Sequence, residues 1–398
     1  MDERILITGT GIVSAIGLNR QETLYSLRGE QSGLRKVKYL QTVHEEFPVG
    51  EVQLSNGQMQ VELGIDYAKP MTRSSLMGIM ALHQALRDAH LTGKDIGRVA
   101  FINGTTVGGM DKSEQYYINF LNDNTRNEYI TIHDCGVCSE IIADYFGRFG
   151  LVTSVSTACS SSANAIVLAA SLIRSGRYDI VIAGGCECLT KFHLNGFNSL
   201  MILDKEPCKP FDKNRAGLNL GEGAAYLVLE REASAHKRRV EPLAILSGFG
   251  NKCDAYHQTA SSPSGEGNWM AMREALQSAG MSTREIDYIN AHGTGTPNND
   301  SSESAALRMI FGDELPPISS TKPFTGHTTS ASGAIEATIC IMALTGNFIP
   351  GNLNWDCADE NCIVPVVHTY DSSITNVMCN SFGFGGNDTS IILSKWRE

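Results

Sequence analysis

The sequence predicts an α/β fold built from two similar halves. Short apolar runs bounded by glycine or polar residues alternate along the chain with longer stretches of helical period. A segment near the end of the first half, TACSSSANAIVLAASLI, is echoed in the second by TGHTTSASGAIEATICIMAL. The 398 residues, with 42% hydrophobic content and 39 glycines, can bury the core of one large domain or of two coupled ones.

Buried strands are expected at residues 5–8, 154–156, 180–183, 225–229, 286–290 and 391–393. Helices are expected over SSLMGIMALHQALRDAH, SSANAIVLAASLIRSG, NWMAMREALQSAG and SGAIEATICIMALTG, which carry apolar residues at i, i+3, i+4 spacing and of which several end at Gly or beside Arg. The charged stretch EREASAHKRRVEP at 230–242 reads as a helix end running into a solvated connection. It divides the chain into residues 1–240 and 241–398.

A net charge of −11 argues against nucleic acid or an anionic membrane as the main partner, because either calls for a basic face. An acidic protein partner would need a local basic patch, for which Lys69, Arg73, Arg174 and Arg177 are candidates. The N-terminus MDERILITGTGIVSAIG shows neither a signal peptide nor a membrane span, which places the chain in the cytoplasm. Eleven cysteines, an odd number with no export signal, are expected as reduced thiols, most of them buried. His133, Cys135 and Cys138, with Cys186 and Cys188, lack the two cleanly spaced pairs of a zinc site and read as structural.

Four segments can carry chemistry. Cys159 lies where SVST hands over to a helix, and the unpaired N–H groups of a helix N-terminus favour thiolate and can hold an oxyanion. His292 follows an apolar strand in NAHGTGTPNND. In SSTKPFTGHTTSASGAIEA, Lys322 precedes His327 by five residues and Glu336 follows nine later. NSFGFGG near the C-terminus sets Phe384 between two glycines, where backbone N–H groups can approach a ligand. A thiol, two loop histidines, a lysine and a glycine-rich turn suit carbon–carbon bond formation on thioesters, the thiol taking an acyl group and the histidines polarising a carbonyl.

TACSSS, NAHGTGTPNND, STKPFTGH and NSFGFGG, in that order, resemble the elongating β-ketoacyl-acyl-carrier-protein synthases. ITGTGIVSAIG, AGGCE, FDKNRAGLNLGEGAAYLVLE and GNLN extend the resemblance over the whole chain. It implies a thiolase-like fold, a duplicated αβαβα sandwich with mixed five-stranded sheets, usually a homodimer. It further implies that Cys159 accepts the acyl chain, that His292 and His327 assist decarboxylation of malonyl-carrier protein, and that Lys322 and Glu336 support them. The N–H groups of Cys159 and Phe384 would form the oxyanion hole, with the Phe384 ring as gate. Thr294 and Thr296 would bind the phosphopantetheine arm of the acyl carrier protein, with no metal or redox cofactor.

Two histidines imply elongation, since initiating synthases resemble a Cys-His-Asn pattern. GFGGND, GTTVGGM and FDKNRAGLNLGEGAA depart from the common forms and leave open a specialised synthase for an aryl polyene or polyketide-like chain, alone or beside a synthase-like subunit. A non-catalytic subunit of the chain-length-factor kind typically loses the cysteine that is present here. A degradative thiolase would carry a second catalytic cysteine, and Cys379 in VMCNSF reads as part of a strand instead.

Overall fold

The computed structural model describes residues 4–123 and 125–397. Its sheet is built from β1 (Ile5–Ser14), β2 (Ala100–Gly104), β3 (Leu151–Val155), β4 (Ile180–Glu187), β5 (Gly223–Arg231), β6 (Ala244–Cys253), β7 (Tyr288–Asn290), β8 (Ile318–Ser319), β9 (Asn376–Gly383) and β10 (Asn387–Lys395). The order is β3-β2-β4-β5-β1-β6-β10-β9-β7-β8. Read inward from each end, the two halves have the same plan. The outer three strands run parallel and the inner two pair antiparallel.

The expected five-stranded units are therefore present. They are hydrogen-bonded edge to edge, because Ile5, Leu6 and Ile7 of β1 pair antiparallel with Leu246, Ile245 and Ala244 of β6.

The helices that matter for the site are α1 (Arg73–Asp88), α2 (Ser161–Arg174), α3 (Lys191–Ser199), α4 (Glu266–Ala279), α5 (Pro297–Phe311) and α6 (Ser332–Gly346). α1 covers the first ladder and α4 the second, while α2 and α6 touch each other and lie between the ladders. Burial on both sides explains the composition of α6, whose residues from Ser332 to Leu344 are all buried. The outer helices repeat one device. A Cβ on Gly11 of β1 would lie 1.9 Å from the Ala81 carbonyl oxygen of α1, and one on Gly250 of β6 would lie 2.2 Å from that of Ala271 in α4. Glycine on the strand and alanine on the helix thus let backbone meet backbone in both halves.

The charged segment after β5 forms a helix, Glu232–Arg238, held by the buried Ala235 and by Arg4 on Glu232. Among the described residues no helix is long and apolar enough to cross a membrane.

The central helices cross at Gly333, where an added Cβ would lie 2.7 Å from the Ala163 Cβ and 2.8 Å from its backbone nitrogen. Gly333→Ala is expected to cost about 1–3 kcal/mol by overpacking, read as a lower denaturation midpoint. An unchanged midpoint would show that the crossing opens freely.

Candidate active site

Chain connectivity puts Cys159 at a sharp corner. β3 ends at Val155, Ala158 takes a left-handed φ of 51°, and α2 begins at Ser161. A non-glycine residue in that region stores strain that the surroundings must hold. Ser161 and Ser160 do so through hydrogen bonds from their hydroxyls to the Ala158 and Thr157 carbonyls, at 2.7 and 2.8 Å. Cys159 is thereby turned toward the second half.

His327 meets it there. Its Nε2 is 3.1 Å from Cys159 Sγ and its Nδ1 is 3.1 Å from Ser332 Oγ. The FDKNRAGLNLGEG block fixes the His327 main chain from both sides, accepting its N–H at the Asn219 carbonyl and donating the Gly221 N–H to its carbonyl.

His292 stands on the loop after β7, its ring centroid 5.3 Å from that of His327 and nearly perpendicular to it. Glu303 of α5 accepts the His292 and Gly293 N–H groups at 2.9 and 2.8 Å, and Asp300 accepts those of Thr294 and Gly295. Neither acid was singled out in the sequence. Their signal was a three-residue helical spacing behind a glycine loop, with no apolar stripe to mark it.

Lys322 lies beneath the histidines, its Nζ 2.6 Å from Glu336 Oε1 and 3.4 Å from His292 Nδ1. An ammonium donating to Nδ1 leaves the His292 proton on Nε2. Burial pushes the pKa of both histidines well below the ordinary value, and the Lys322 charge adds to it, so both rings are neutral.

The Cys159 thiol departs from expectation. Burial pushes it up to about 11, against the Phe384 N–H, the Lys322 charge and the thiol's own backbone N–H, which pull down. The helix N-terminus does not offset desolvation, so the resting pair is thiol and neutral imidazole.

A cavity of about 290 Å³ opens above these groups. Thr294 and Thr296, whose hydroxyls are 2.9 Å apart, line its polar side. Phe197, Ile202 and Leu218 line an apolar side, and Phe384 stacks on Phe197 with ring centroids 5.8 Å apart. Phe197 was missed in the sequence, where it reads as an ordinary face of α3.

Among the described residues, Cys159, His292 and His327 form the one cluster whose ligand atoms converge as a metal set would. His133 and Cys135 do not join such a set, and Cys138 and Cys186 pack sulfur to sulfur at 4.0 Å in the core. Cys379 is buried in β9. Of the basic candidates, Lys69, Arg174 and Arg177 are exposed, whereas Arg73 is buried against Glu222 and hydrogen-bonded to the Val52 and Leu54 carbonyls.

Residues 2–235 match the N-terminal domain of beta-ketoacyl synthases and residues 243–356 the C-terminal domain. The chain belongs to the β-ketoacyl synthase family. This ketoacyl synthase is 33% identical to the 3-oxoacyl-[acyl-carrier-protein] synthase 2 of Coxiella burnetii (strain RSA 493 / Nine Mile phase I), over 98% of each chain. Among solved structures, the ishigamide ketosynthase/chain length factor superposes with a TM-score of 0.93 at 31% identity over the full length of both chains. The ketosynthase ApeO, solved with its chain length factor ApeC from Xenorhabdus doucetiae, gives 0.88 at 32% identity over 99% of this chain and 98% of that one. The thiolase-like fold follows from these superpositions and from the duplicated sheet.

A protonated resting thiol has a direct consequence. Alkylation of Cys159 by iodoacetamide is expected to rise about tenfold per pH unit between about pH 7 and 9, because the thiolate is the reacting form. A plateau within that window would show a resting thiolate.

Proposed function

We propose that this ketoacyl synthase elongates acyl chains through Cys159, and that malonyl-carrier protein supplies the new carbons. The observation that carries the reading is a buried thiol 3.1 Å from a neutral imidazole nitrogen. In the first half-reaction the sulfur attacks the acyl thioester carbonyl while its proton passes to His327 Nε2. The N–H groups of Cys159 and Phe384 hold the oxyanion, and the proton then leaves with the carrier thiol.

In the second half-reaction the malonyl carbon–carboxylate bond breaks. Carbon dioxide departs, and the electron pair becomes an enolate whose oxygen accepts the Nε2–H of His292. His327 adds a second donor, since the Ser332 hydroxyl can accept from or donate to its Nδ1 and so serves either tautomer. The enolate carbon attacks the acyl-cysteine carbonyl, the carbon–sulfur bond breaks, a 3-oxoacyl thioester leaves, and the Cys159 thiolate takes up one proton from solvent to restore the resting thiol. No net oxidation occurs, so the steps call for no redox cofactor, and the donors named above meet the developing negative charge without a metal. Thr294 and Thr296 face the phosphopantetheine arm from the polar side of the cavity.

The Coxiella relative supports fatty-acid elongation. A second reading, a specialised elongating synthase for an aryl polyene or polyketide-like chain, draws on the ishigamide and ApeO relatives and on GFGGND, where Asn387 Oδ1 accepts from Ser160, Asn164 and Asn251 beside the nucleophile. Strand β3 ends the sheet with an unpaired edge and is half-buried throughout. A second copy, or a related synthase-like subunit, is the proposed cover. Exposed Lys69, Arg174 and Arg177 are offered to the acidic carrier.

Intact-mass analysis with saturated, aryl and polyene acyl-carrier proteins tests the reading. A Cys159 adduct is expected, and is expected to vanish in Cys159→Ala. Cys159→Gln, mimicking the acylated state, should still decarboxylate malonyl-carrier protein, and His292→Ala or His327→Ala should slow that step by about 10²-fold or more. Unchanged rates in both histidine variants would overturn the mechanism. Light scattering is expected to give twice the chain mass for the protein alone, and a monomer would favour the heteromeric partner.

A further inference from the structure

The acyl-transfer step calls on two N–H groups that come from different halves of the chain. Cys159 follows β3 and Phe384 follows β9, and these strands are not neighbours in the sheet. No strand ladder therefore fixes the distance between the donors. The corner and the turn nevertheless touch: a Cβ on Gly383 would lie 2.9 Å from the Thr157 carbonyl oxygen and 3.1 Å from Ser160 Oγ. Contact of this kind sets proximity, whereas hydrogen bonds, which demand a narrow range of angle, set alignment.

Asn387 supplies the hydrogen bonds. It is paired with Gly383 at the mouth of the β9–β10 hairpin, and the Gly386 N–H closes the turn onto the Gly383 carbonyl at 3.0 Å. Its Oδ1 accepts from Asn164 Nδ2 at 2.6 Å, from Asn251 Nδ2 at 2.9 Å and from Ser160 Oγ at 3.1 Å. Ser160 is the residue after the nucleophile, and Asn164, one turn into α2, also donates to Thr157 Oγ1 at 2.9 Å. Asn251 of β6 holds Asn164 from the other side, donating to its Oδ1 at 2.9 Å. Three donors on one amide oxygen exceed its two lone pairs, so this atom joins the corner, the turn and β6. Such a network specifies one arrangement of the parts it connects.

Asn387 does not line the cavity above the thiol. The histidines are held by other means. His327 is fixed through the Asn219 carbonyl, the Gly221 N–H and the Ser332 hydroxyl, and His292 through Glu303 and Lys322. None of these links runs through Asn387, so it bears on one half-reaction and not on the other.

We propose that Asn387 is a positioning residue for acyl transfer, its side-chain oxygen holding the Phe384 turn against the Cys159 corner and so fixing the spacing of the two N–H donors. The inference rests on the reading that these N–H groups hold the oxyanion formed when Cys159 is acylated.

The test reads the two half-reactions separately. Asn387→Ala adds no bulk, and Asn387→Leu fills the space of the amide. Both are expected to lower the maximal rate of Cys159 acylation by about 10²-fold without changing the half-saturating donor concentration, with the best-loading of the acyl-carrier proteins above as donor and intact mass as readout. Combined with Cys159→Gln, both are expected to leave decarboxylation of malonyl-carrier protein at the rate of Cys159→Gln alone. Asn387→Asp keeps the shape and the acceptor and is expected to recover part of the acylation rate. Equal losses in the two half-reactions, an unchanged acylation rate, or an aspartate variant no better than the alanine one would overturn the inference while the acyl-transfer reading stands. If none of the donors loads wild-type Cys159, both fall.

Discussion

The active site depends on one close approach, the crossing of α2 and α6 at Ala163 and Gly333. Cys159 precedes the first of these helices and His327 the second, so sulfur and nitrogen are 168 residues apart in sequence and 3.1 Å apart in space. α2 packs mainly on the first ladder and α6 on both, and the ladders are joined along β1 and β6. A close-packed interior passes strain on instead of absorbing it, so the reacting distance inherits the rigidity of the whole sandwich. Glu187 adds a cross-tie. Its carboxylate accepts from Thr105, Thr106 and Val107 in the first half and from the Ser330 hydroxyl in the second. Misplacement of reacting groups by about an ångström can cost on the order of 10²-fold in rate, which gives this over-determination its value.

The same closeness dries the site and fixes its electrostatics. Cys159, His292 and His327 are all held in their uncharged forms by burial. The charge that remains is the Lys322–Glu336 pair, itself buried. Such a pair contributes little net stability, since desolvation offsets the attraction, whereas removing one partner costs about 3–5 kcal/mol. Its consequence here is directional. Lys322 fixes the His292 tautomer, so on the proposed mechanism a donor faces the place where enolate charge appears, and no solvent has to reorganise when it does.

Most of the candidate residues that converge here were legible in the sequence because they are flanked by small residues and lie on loops that follow a strand, directly for Cys159 and His292 and by way of a short helix for His327, a local arrangement that survives folding. What could not be read locally was distance. Arg73 looks like a surface charge until Glu222, 149 residues away, is placed beside it. Glu303 and Asp300 look like the solvated face of a helix until the His292 loop folds onto them. The β6 strand AILSGFGNKC was hidden by glycines and a lysine, although its alternating burial is that of a strand covered on one face by a helix. The thiolate was misjudged for a related reason. A helix N-terminus is a local feature, whereas the desolvation that outweighs it comes from the packing of both halves.

Phe384 combines two requirements that pull apart. On the proposed mechanism its N–H stays on the sulfur side to hold an oxyanion, while its ring, stacked on Phe197, yields when a chain enters the apolar side. The turn separates the two. The Gly385 N–H donates to the Gln258 carbonyl at 2.8 Å, and the Gly386 carbonyl accepts from the Asp254 N–H at 2.7 Å, which ties the main chain to the loop after β6. With Gly383 paired to Asn387 before residue 384 and these two bonds after it, the backbone is held while, on the proposed mechanism, rotation of the ring about its own side-chain bond admits the chain without displacing the donor. Placing both tasks on one residue then carries little penalty, because one belongs to the anchored main chain and the other to a side chain held by an aromatic stack worth about 1 kcal/mol.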